Sequence, residues 1–266
     1  MQIPHLGLGT FRLKGQTAYD SVASGLKAGY RHIDTAQIYG NEEEVGKAIA
    51  DSGIPRDELF ITTKIWTDKF AEGKLIPSLR ESLDKLQVEK VDLTLIHWPS
   101  PDDKVPVETY MTQLAQAKEE GLTANIGVSN FTISHMKKAI DAVGAKAILT
   151  NQVELHPFLQ NRPIVEFCEA NGILLTAYMP LAYGKVMHEP MLKGLAEAYN
   201  TTPAVVALAW GLQQGYVVIP SSTKPEHQKI NLLAKALEFT DEEMAALATL
   251  DRDDRLVSPD FGPTWD

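Results

Sequence analysis

Four side chains that can gain, lose or share a proton stand at the ends of predicted strands or just beyond one. Asp34 ends a short apolar run, and Tyr39 lies in the polar loop that follows it. Lys64 and His97 end two later apolar runs. Brought to one place, a carboxylate, a phenol, an ammonium group and an imidazole would form a site suited to proton transfer.

Among the four side chains, Lys64 most clearly requires a charged partner nearby. It ends the apolar run Leu59–Thr63, where an unpaired ammonium group would carry a large desolvation cost. Asp34, one predicted strand earlier, is its natural partner. Taken singly, this pair reads equally well as a structural ion pair, and His97 as a packed, hydrogen-bonded histidine. The four groups together favour a functional site.

Short runs rich in aliphatic and β-branched residues alternate with helical patterns along the whole chain. Such runs are typical of strands buried on both faces. The predicted strands are Ile3–Leu8, Arg31–Asp34, Leu59–Lys64, Val91–His97, Thr123–Val128, Ala147–Val153, Ile173–Tyr178 and Tyr216–Pro220. Eight strands alternating with eight helices predict an α/β fold, the (β/α)8 TIM barrel, as one domain over residues 1–266. Two further helical patterns, Met191–Tyr199 and Met244–Leu250, predict two extra helices.

The barrel would bring the four side chains together, because the carboxyl ends of all its strands share one face. Local signals agree with the alternation. Gly40 lets the backbone turn, and Asn41 is placed to cap the next helix. Thr202-Pro203 predicts another helix start. A doubly wound sheet would instead need a three-glycine phosphate loop, and Gly7–Arg12 lacks the third glycine.

Composition excludes several other classes of protein. The net charge of -10 gives no basic field to meet the phosphates of nucleic acid. No apolar run reaches the roughly 18 residues of a membrane-spanning helix, and no metal motif such as His-Glu-x-x-His occurs. The single Cys168 rules out an internal disulfide and fits a reducing compartment. We expect a cytoplasmic, monomeric protein that acts on a small molecule without a metal.

Seven motifs spread over the whole chain resemble those of the aldo-keto reductase family, at that family's spacing. They are Gly29–Ala36, Tyr39–Glu42, Ile61–Lys64, Ile96–Pro99, Gly127–Phe131, Asn151–Glu154 and Tyr178–Leu181. Within the family, the chain is most similar to the bacterial 2,5-diketo-D-gluconate reductases, which also reduce dicarbonyls of the methylglyoxal type. The resemblance implies an oxidoreductase that converts aldehydes or ketones to alcohols.

The same resemblance implies that Asp34, Tyr39, Lys64 and His97 are catalytic. Reducing a carbonyl requires a hydride on carbon and a proton on oxygen. A free tyrosine donates a proton poorly at neutral pH, because its pKa is near 10. A lysine cation beside Tyr39 would stabilise the phenolate and make it a better acid. Asp34 would hold Lys64 charged, and His97 would hydrogen-bond the carbonyl oxygen.

The resemblance also implies NADPH as the cofactor and assigns residues to it. Tyr178 would stack on the nicotinamide ring, while Ser129, Asn130 and Gln152 would hold its carboxamide. The remaining cofactor-binding positions implied by the family are Pro180, Leu181, Ser221, Ser222, Thr223, Lys224, His227 and Asn231. Phe11, Trp66 and Trp98 would wall the substrate pocket.

The chain departs from the family in two places. Only Met1–Pro4 leads into the first predicted strand, so we expect the barrel floor to be less well covered than in relatives that open with a hairpin. Ser221 and His227 stand where the family usually has a lysine and an arginine for the 2′-phosphate of NADPH. We therefore expect the chain to prefer NADPH over NADH less strongly than relatives that have both basic residues. The remaining preference would come from Lys224 and from the amino end of a helix starting at Pro225.

Two other functions fit parts of the pattern. A nicotinamide-binding regulatory protein of the same fold would not need the four groups intact. A barrel hydrolase using Asp34 and a water molecule has no obvious second carboxylate at the mouth. The linker Pro99–Pro106 is short, and the tail after Arg255 is only about a dozen residues. With so little chain to build a large pocket, small dicarbonyls are expected over bulky ketones such as steroids.

Overall fold

The computed structural model describes residues 2–266, and eight parallel strands form its central sheet. The strands are β1 (Leu8–Gly9), β2 (His32–Asp34), β3 (Phe60–Ile65), β4 (Val91–Ile96), β5 (Thr123–Ser129), β6 (Ile148–Glu154), β7 (Leu174–Tyr178) and β8 (Val217–Val218). Each strand pairs with the next in chain order. The first and last segments are also joined, since Gly7 N donates to Val218 O and Gly9 N to Pro220 O, both at 2.9 Å. The predicted (β/α)8 barrel is confirmed.

Helices on the outside of the barrel follow the strands. In the described residues they are α1 (Gly15–Ala28), α2 (Glu42–Asp51), α3 (Leu75–Leu86), α4 (Val107–Glu119), α5 (Ile133–Val143), α6 (Arg162–Ala170), α7 (Pro190–Ala198), α8 (Pro203–Gln213), α9 (Pro225–Asn231) and α10 (Asp241–Ala248). The two extra helices predicted from the sequence are α7 and α10. Within residues 2–266 no helix has the length and apolar character needed to cross a bilayer.

Apolar side chains fill the barrel interior. The interior cluster consists of Ile3, Phe60, Leu93, Leu95, Val217 and Ile219. At the floor, His32 Nδ1 lies 3.2 Å from Pro4 O and His32 Nε2 lies 3.1 Å from Thr62 Oγ1. Pro4 therefore contacts His32 at the floor, and the expectation that the floor is less well covered than in relatives with a hairpin stays a prediction.

Threonine side chains cap two helix starts, and the sequence predicts the one at Thr202. Thr202 Oγ1 accepts a hydrogen bond from Val205 N at 3.3 Å at the start of α8. Thr240 and Glu243 form a complete capping box at the start of α10. Gly40 has φ of 60°, a left-handed conformation that glycine adopts without strain.

Asn41 departs from its predicted role. Its side chain makes no capping hydrogen bond to α2. The amide nitrogen instead donates to Thr10 O at 2.9 Å and to Leu13 O at 3.0 Å, and Thr35 Oγ1 donates to the amide oxygen at 2.6 Å. Asn41 therefore joins the loop after β1 to the loop after β2, and both loops border the barrel mouth.

Candidate active site

A buried ion pair forms the base of the site. Lys64, at the end of β3, is fully buried, and its Nζ lies 2.5 Å from Asp34 Oδ1 at the end of β2. The same Nζ donates to Thr35 O at 2.9 Å and to the Tyr39 hydroxyl at 3.2 Å. Gln152 Nε2, from β6, donates to the second oxygen of Asp34 at 2.8 Å. Both carboxylate oxygens of Asp34 are therefore satisfied, which a buried charge requires.

The charges of the site follow from burial and from these contacts. Burial by itself lowers the pKa of Lys64, but Asp34 and Tyr39 outweigh it and the net shift is upward. Lys64 is therefore a cation at neutral pH. Burial raises the pKa of Tyr39 above its ordinary value, and the charge of Lys64 opposes that rise. Tyr39 is thus a protonated phenol that touches a cation.

His97, just beyond β4, completes the group. Its ring lies 5.6 Å from that of Tyr39 and 5.1 Å from that of Trp66, measured between centroids, with both contacts edge-on. Burial, reinforced by the charge of Lys64, holds the pKa of His97 well below 6.5. His97 is consequently a neutral imidazole at neutral pH, able to donate one hydrogen bond from its ring.

A cavity of about 720 Å³ opens above this group at the carboxyl ends of the strands. Most of the sequence-predicted site residues line it. These are Phe11, Asp34, Tyr39, Trp66, His97, Trp98, Ser129, Asn130, Gln152, Tyr178, Pro180, Leu181 and Ser221. Lys64 is not on the wall but lies directly behind Asp34 and Tyr39. A few polar groups converge in a pocket that is otherwise walled by aromatic rings, which is typical of a small-molecule site.

The predicted carboxamide-binding side chains form a connected set on β5, β6 and β7. Ser129 Oγ donates to Gln152 O at 2.8 Å, and Asn130 Nδ2 donates to His97 O at 3.0 Å. The Tyr178 hydroxyl donates to Asn130 Oδ1 at 2.7 Å, which fixes its ring on the cavity wall. Gln152 Oε1 accepts no hydrogen bond from the described residues, and is thus an acceptor left for a bound amide.

The other predicted cofactor residues follow β8 and lie outside the cavity. Ser222 is half-buried, while Thr223, Lys224 and His227 are exposed. The buried Gln228 holds this loop, because its Nε2 donates to Ser222 O and to Ser21 O, both at 2.9 Å. Helix α9 has only seven residues, so its dipole is a weaker source of phosphate affinity than expected. Asn231, the last predicted position, is buried and does not line the cavity.

Sequence reasoning missed several residues at the mouth. The guanidinium of Arg12 lies 5.2 Å from the ring centroid of Phe11 and 4.6 Å from that of Tyr183. Lys14 donates a hydrogen bond to Tyr39 O. Met187, like Tyr183, lines the cavity from the loop after β7. The sequence indicated a role for these residues only through their position, because the loops that follow barrel strands form the active site.

The C-terminal tail supplies one wall of the mouth. Val257 lines the cavity, and the Phe261 ring lies edge-on against Trp66 at 5.8 Å and Trp98 at 5.5 Å. Trp265 contacts Trp98 at 6.0 Å. The tail reaches the pocket because it folds back over the barrel.

Comparisons with known proteins agree with this geometry. Residues 5–252 match the profile described as the Aldo/keto reductase family. The chain is 59% identical over 267 residues to Methylglyoxal reductase DkgB of Yersinia pestis and 57% identical to that of Escherichia coli O157:H7, covering 100% of each chain. The crystal structure of a candidate 2,5-diketo-D-gluconic acid reductase B superposes with a TM-score of 0.95 at 41% identity, covering 99% of this chain and 94% of the other.

Proposed function

The chain belongs to the aldo/keto reductase family of oxidoreductases, and we propose that it reduces small dicarbonyls to hydroxy-carbonyls with NADPH. The observation that carries this proposal is the contact of one lysine with two partners. Lys64 Nζ touches Asp34 at 2.5 Å and Tyr39 at 3.2 Å, beneath a cavity open to substrate. We also infer that residues 1–266 act as a single, monomeric barrel domain.

Tyr39 is the proposed proton donor. NADPH, when bound, supplies the hydride that the carbonyl carbon requires. The Tyr39 hydroxyl gives its proton to the carbonyl oxygen, and Lys64 stabilises the phenolate left behind by its charge and its hydrogen bond. Asp34 keeps Lys64 charged and aimed at Tyr39, because Asp34 and Tyr39 together outweigh the effect of burial on the pKa of the ammonium group. The three side chains that this proton transfer requires are thus already in contact.

His97 is proposed to orient the substrate. As a neutral imidazole it donates a hydrogen bond to the carbonyl oxygen and does not compete with Tyr39 as an acid. Placing the oxygen between two donors restricts the carbonyl to one approach, and such positioning is a large part of enzymatic rate enhancement. The aromatic rings around His97 leave it little freedom to turn.

The residues present fit a nicotinamide cofactor. The free Gln152 Oε1 and the polar groups of Ser129 and Asn130 suit a carboxamide, and the Tyr178 ring offers a flat face on the cavity wall. For the 2′-phosphate, Lys224 is the cation in the loop after β8, assisted by the hydroxyls of Ser222 and Thr223 and by His227. These contacts favour NADPH over NADH with fewer full charges than the usual pair of basic residues.

The substrate class follows from the shape of the mouth and from the relatives. The methylglyoxal and 2,5-diketo-D-gluconic acid in their names are both small, polar dicarbonyls. Trp66 and Trp98 line the cavity, and the Trp66 ring packs edge-on against His97, which suits a compact carbonyl. Phe261 packs against both tryptophans.

The test is NADPH consumption by the purified protein with methylglyoxal, 2,5-diketo-D-gluconate and a steroid ketone. We expect a higher kcat/KM for at least one dicarbonyl than for the steroid. The proposal fails if the steroid is the better substrate or if no dicarbonyl is reduced.

A further inference from the structure

One buried carboxylate has no part in the proposed chemistry. Glu154 ends β6, is fully buried, and pairs in register with Tyr178. Its Oε1 accepts from Leu256 N at 2.8 Å and its Oε2 from Val257 N at 2.8 Å. His156 Nε2 lies 2.9 Å from Oε1 and must be the donor, since a carboxylate only accepts. Burying a carboxylate is costly, and two of the three donors that offset this cost belong to the tail.

The backbone beside Glu154 is tied to the same tail. Asn161 Nδ2 donates to Glu154 O at 2.5 Å, and Asn161 Oδ1 accepts from Arg255 Nη2 at 2.8 Å. The Arg255 guanidinium also lies 3.9 Å from the ring centroid of Trp265. Burial lowers the pKa of Arg255, and the attraction of Glu154 opposes that shift. The side chains of Glu154, Asn161 and Arg255 thus attach one short segment of the tail to the end of β6.

The tail borders the pocket at this attachment and packs against its lining residues beyond it. Residues 249–258 contain no helix or strand. The Arg252 and Asp254 amides donate to Phe158 O at 3.2 Å and 3.0 Å, and after Asp254 the backbone is held by Glu154. Val257, whose amide bonds Glu154, itself lines the cavity. Phe261 follows four residues later against Trp66 and Trp98. The far end is held separately, where Ile133 N donates to Asp266 Oδ2 at 2.8 Å.

We propose that Glu154 is a positioning residue for substrate binding: it fastens the tail so that Val257 lines the pocket and Phe261 supports the lining residues Trp66 and Trp98. This inference depends on the proposed reductase function and adds a specificity device to it. Glu154 contacts neither the reacting groups nor the ion pair, so its loss acts on substrate affinity and not on the chemical step. The fraction of molecules with the wall in place sets the apparent affinity.

The test compares Glu154→Gln with the parent enzyme in steady-state kinetics. Glutamine keeps the shape but loses the charge, and its NH2 group must face one of the three donors. If the tail is in place about a tenth of the time, KM rises about tenfold. We expect kcat and the Kd for NADPH to stay within about twofold of the parent. Asp254→Asn is the matched control, because it removes a carboxylate of the same segment that pairs only with exposed Lys185 and Arg252.

A second measurement shows whether Glu154 acts through the tail. Hydrogen exchange should reveal faster exchange of the Leu256 and Val257 amides in Glu154→Gln, and acrylamide should quench Trp265 more strongly. In a double-mutant cycle, Phe261→Ala and Glu154→Gln should not multiply their effects on KM, since both remove the same wall. Independent multiplication of the two effects would contradict the proposal.

The outcomes separate this inference from the reductase proposal. Kinetics are run with methylglyoxal and with a simple aromatic aldehyde, so the wall is tested even if no dicarbonyl is a substrate. Loss of amide protection with unchanged KM overturns the positioning role, as does a fall in kcat without a rise in KM. If Glu154→Gln does not fold, Glu154→Asp replaces it, because it keeps the charge yet leaves the carboxylate short of the tail amides. The same rise in KM is then required.

Discussion

Gln152 Nε2 donates a hydrogen bond to Asp34 Oδ2 at 2.8 Å, joining strands that are 118 residues apart in sequence. Asp34 holds Lys64, and Lys64 holds the Tyr39 hydroxyl. The oxygen of the same Gln152 amide is left for a ligand. One side chain therefore connects the proposed nicotinamide site to the proposed proton donor.

Gln152→Leu should weaken both functions of that amide. We expect the Kd for NADPH to rise about tenfold, because one hydrogen bond to the ligand is lost and Asp34 keeps an unsatisfied oxygen. The Kd is measured by quenching of tryptophan fluorescence. Gln116→Leu, which alters an exposed glutamine of α4, is the control. An unchanged Kd in Gln152→Leu would remove Gln152 from the cofactor site.

Lys64→Met tests the buried ion pair. Removing one partner leaves Asp34 buried without its counter-charge, and such losses cost about 3–5 kcal/mol of unfolding free energy. Reduction should fall below detection, since Tyr39 loses the neighbour that stabilises its phenolate. The measurements are urea unfolding and NADPH consumption. A variant that is active and as stable as the parent would contradict this role.

His97 should leave a signature in the dependence of stability on pH. Because burial holds its pKa well below 6.5 in the folded state, the unfolded chain binds this proton first as the pH falls. The unfolding free energy is therefore expected to decrease below about pH 6.5, by up to about 1.4 kcal/mol from this residue at about pH 5.5. His97→Gln should lose that part of the decrease. Identical slopes for parent and variant would show that His97 is not held neutral.

The loop after β8 predicts a modest cofactor preference. Lys224 and His227 are both exposed on this loop, where either side chain can reach a bound phosphate. The ratio of kcat/KM for NADPH to that for NADH should exceed one. His227→Ala should lower this ratio, because one side chain that can contact the 2′-phosphate is lost. A ratio below one in the parent would overturn the choice of NADPH, and an unchanged ratio in His227→Ala would exclude His227.

Position in the barrel explains what the sequence could predict. Asp34, Lys64 and His97 lie within one residue of the carboxyl end of a strand. Strand ends can be predicted from apolar runs, so the shared location of these residues followed from the fold alone. The pairing of Gln152 with Asp34 could not be read in this way, because register and side-chain direction are set by packing across the barrel. The capping role predicted for Asn41 was wrong for a similar reason, because its side chain bonds Thr10 in the tertiary structure instead of the start of its own helix.

The tail was the least predictable part of the site. Residues 255–266 show no periodicity, and their place depends on a buried acceptor a hundred residues earlier, Glu154. Val257 consequently carried no local signal of lining the pocket, and Phe261 none of packing against its tryptophans. Gly184 and Tyr183, after β7, had only their place behind a strand to indicate a role at the mouth.

The most direct test of the central claim is the turnover of Tyr39→Phe. This substitution keeps the ring and removes only the hydroxyl that touches Lys64. We predict that the Kd for NADPH is unchanged while kcat for methylglyoxal falls by roughly 10²-fold or more, the usual contribution of a positioned acid. A kcat close to that of the parent would show that Tyr39 is not the proton donor and would contradict the proposed mechanism.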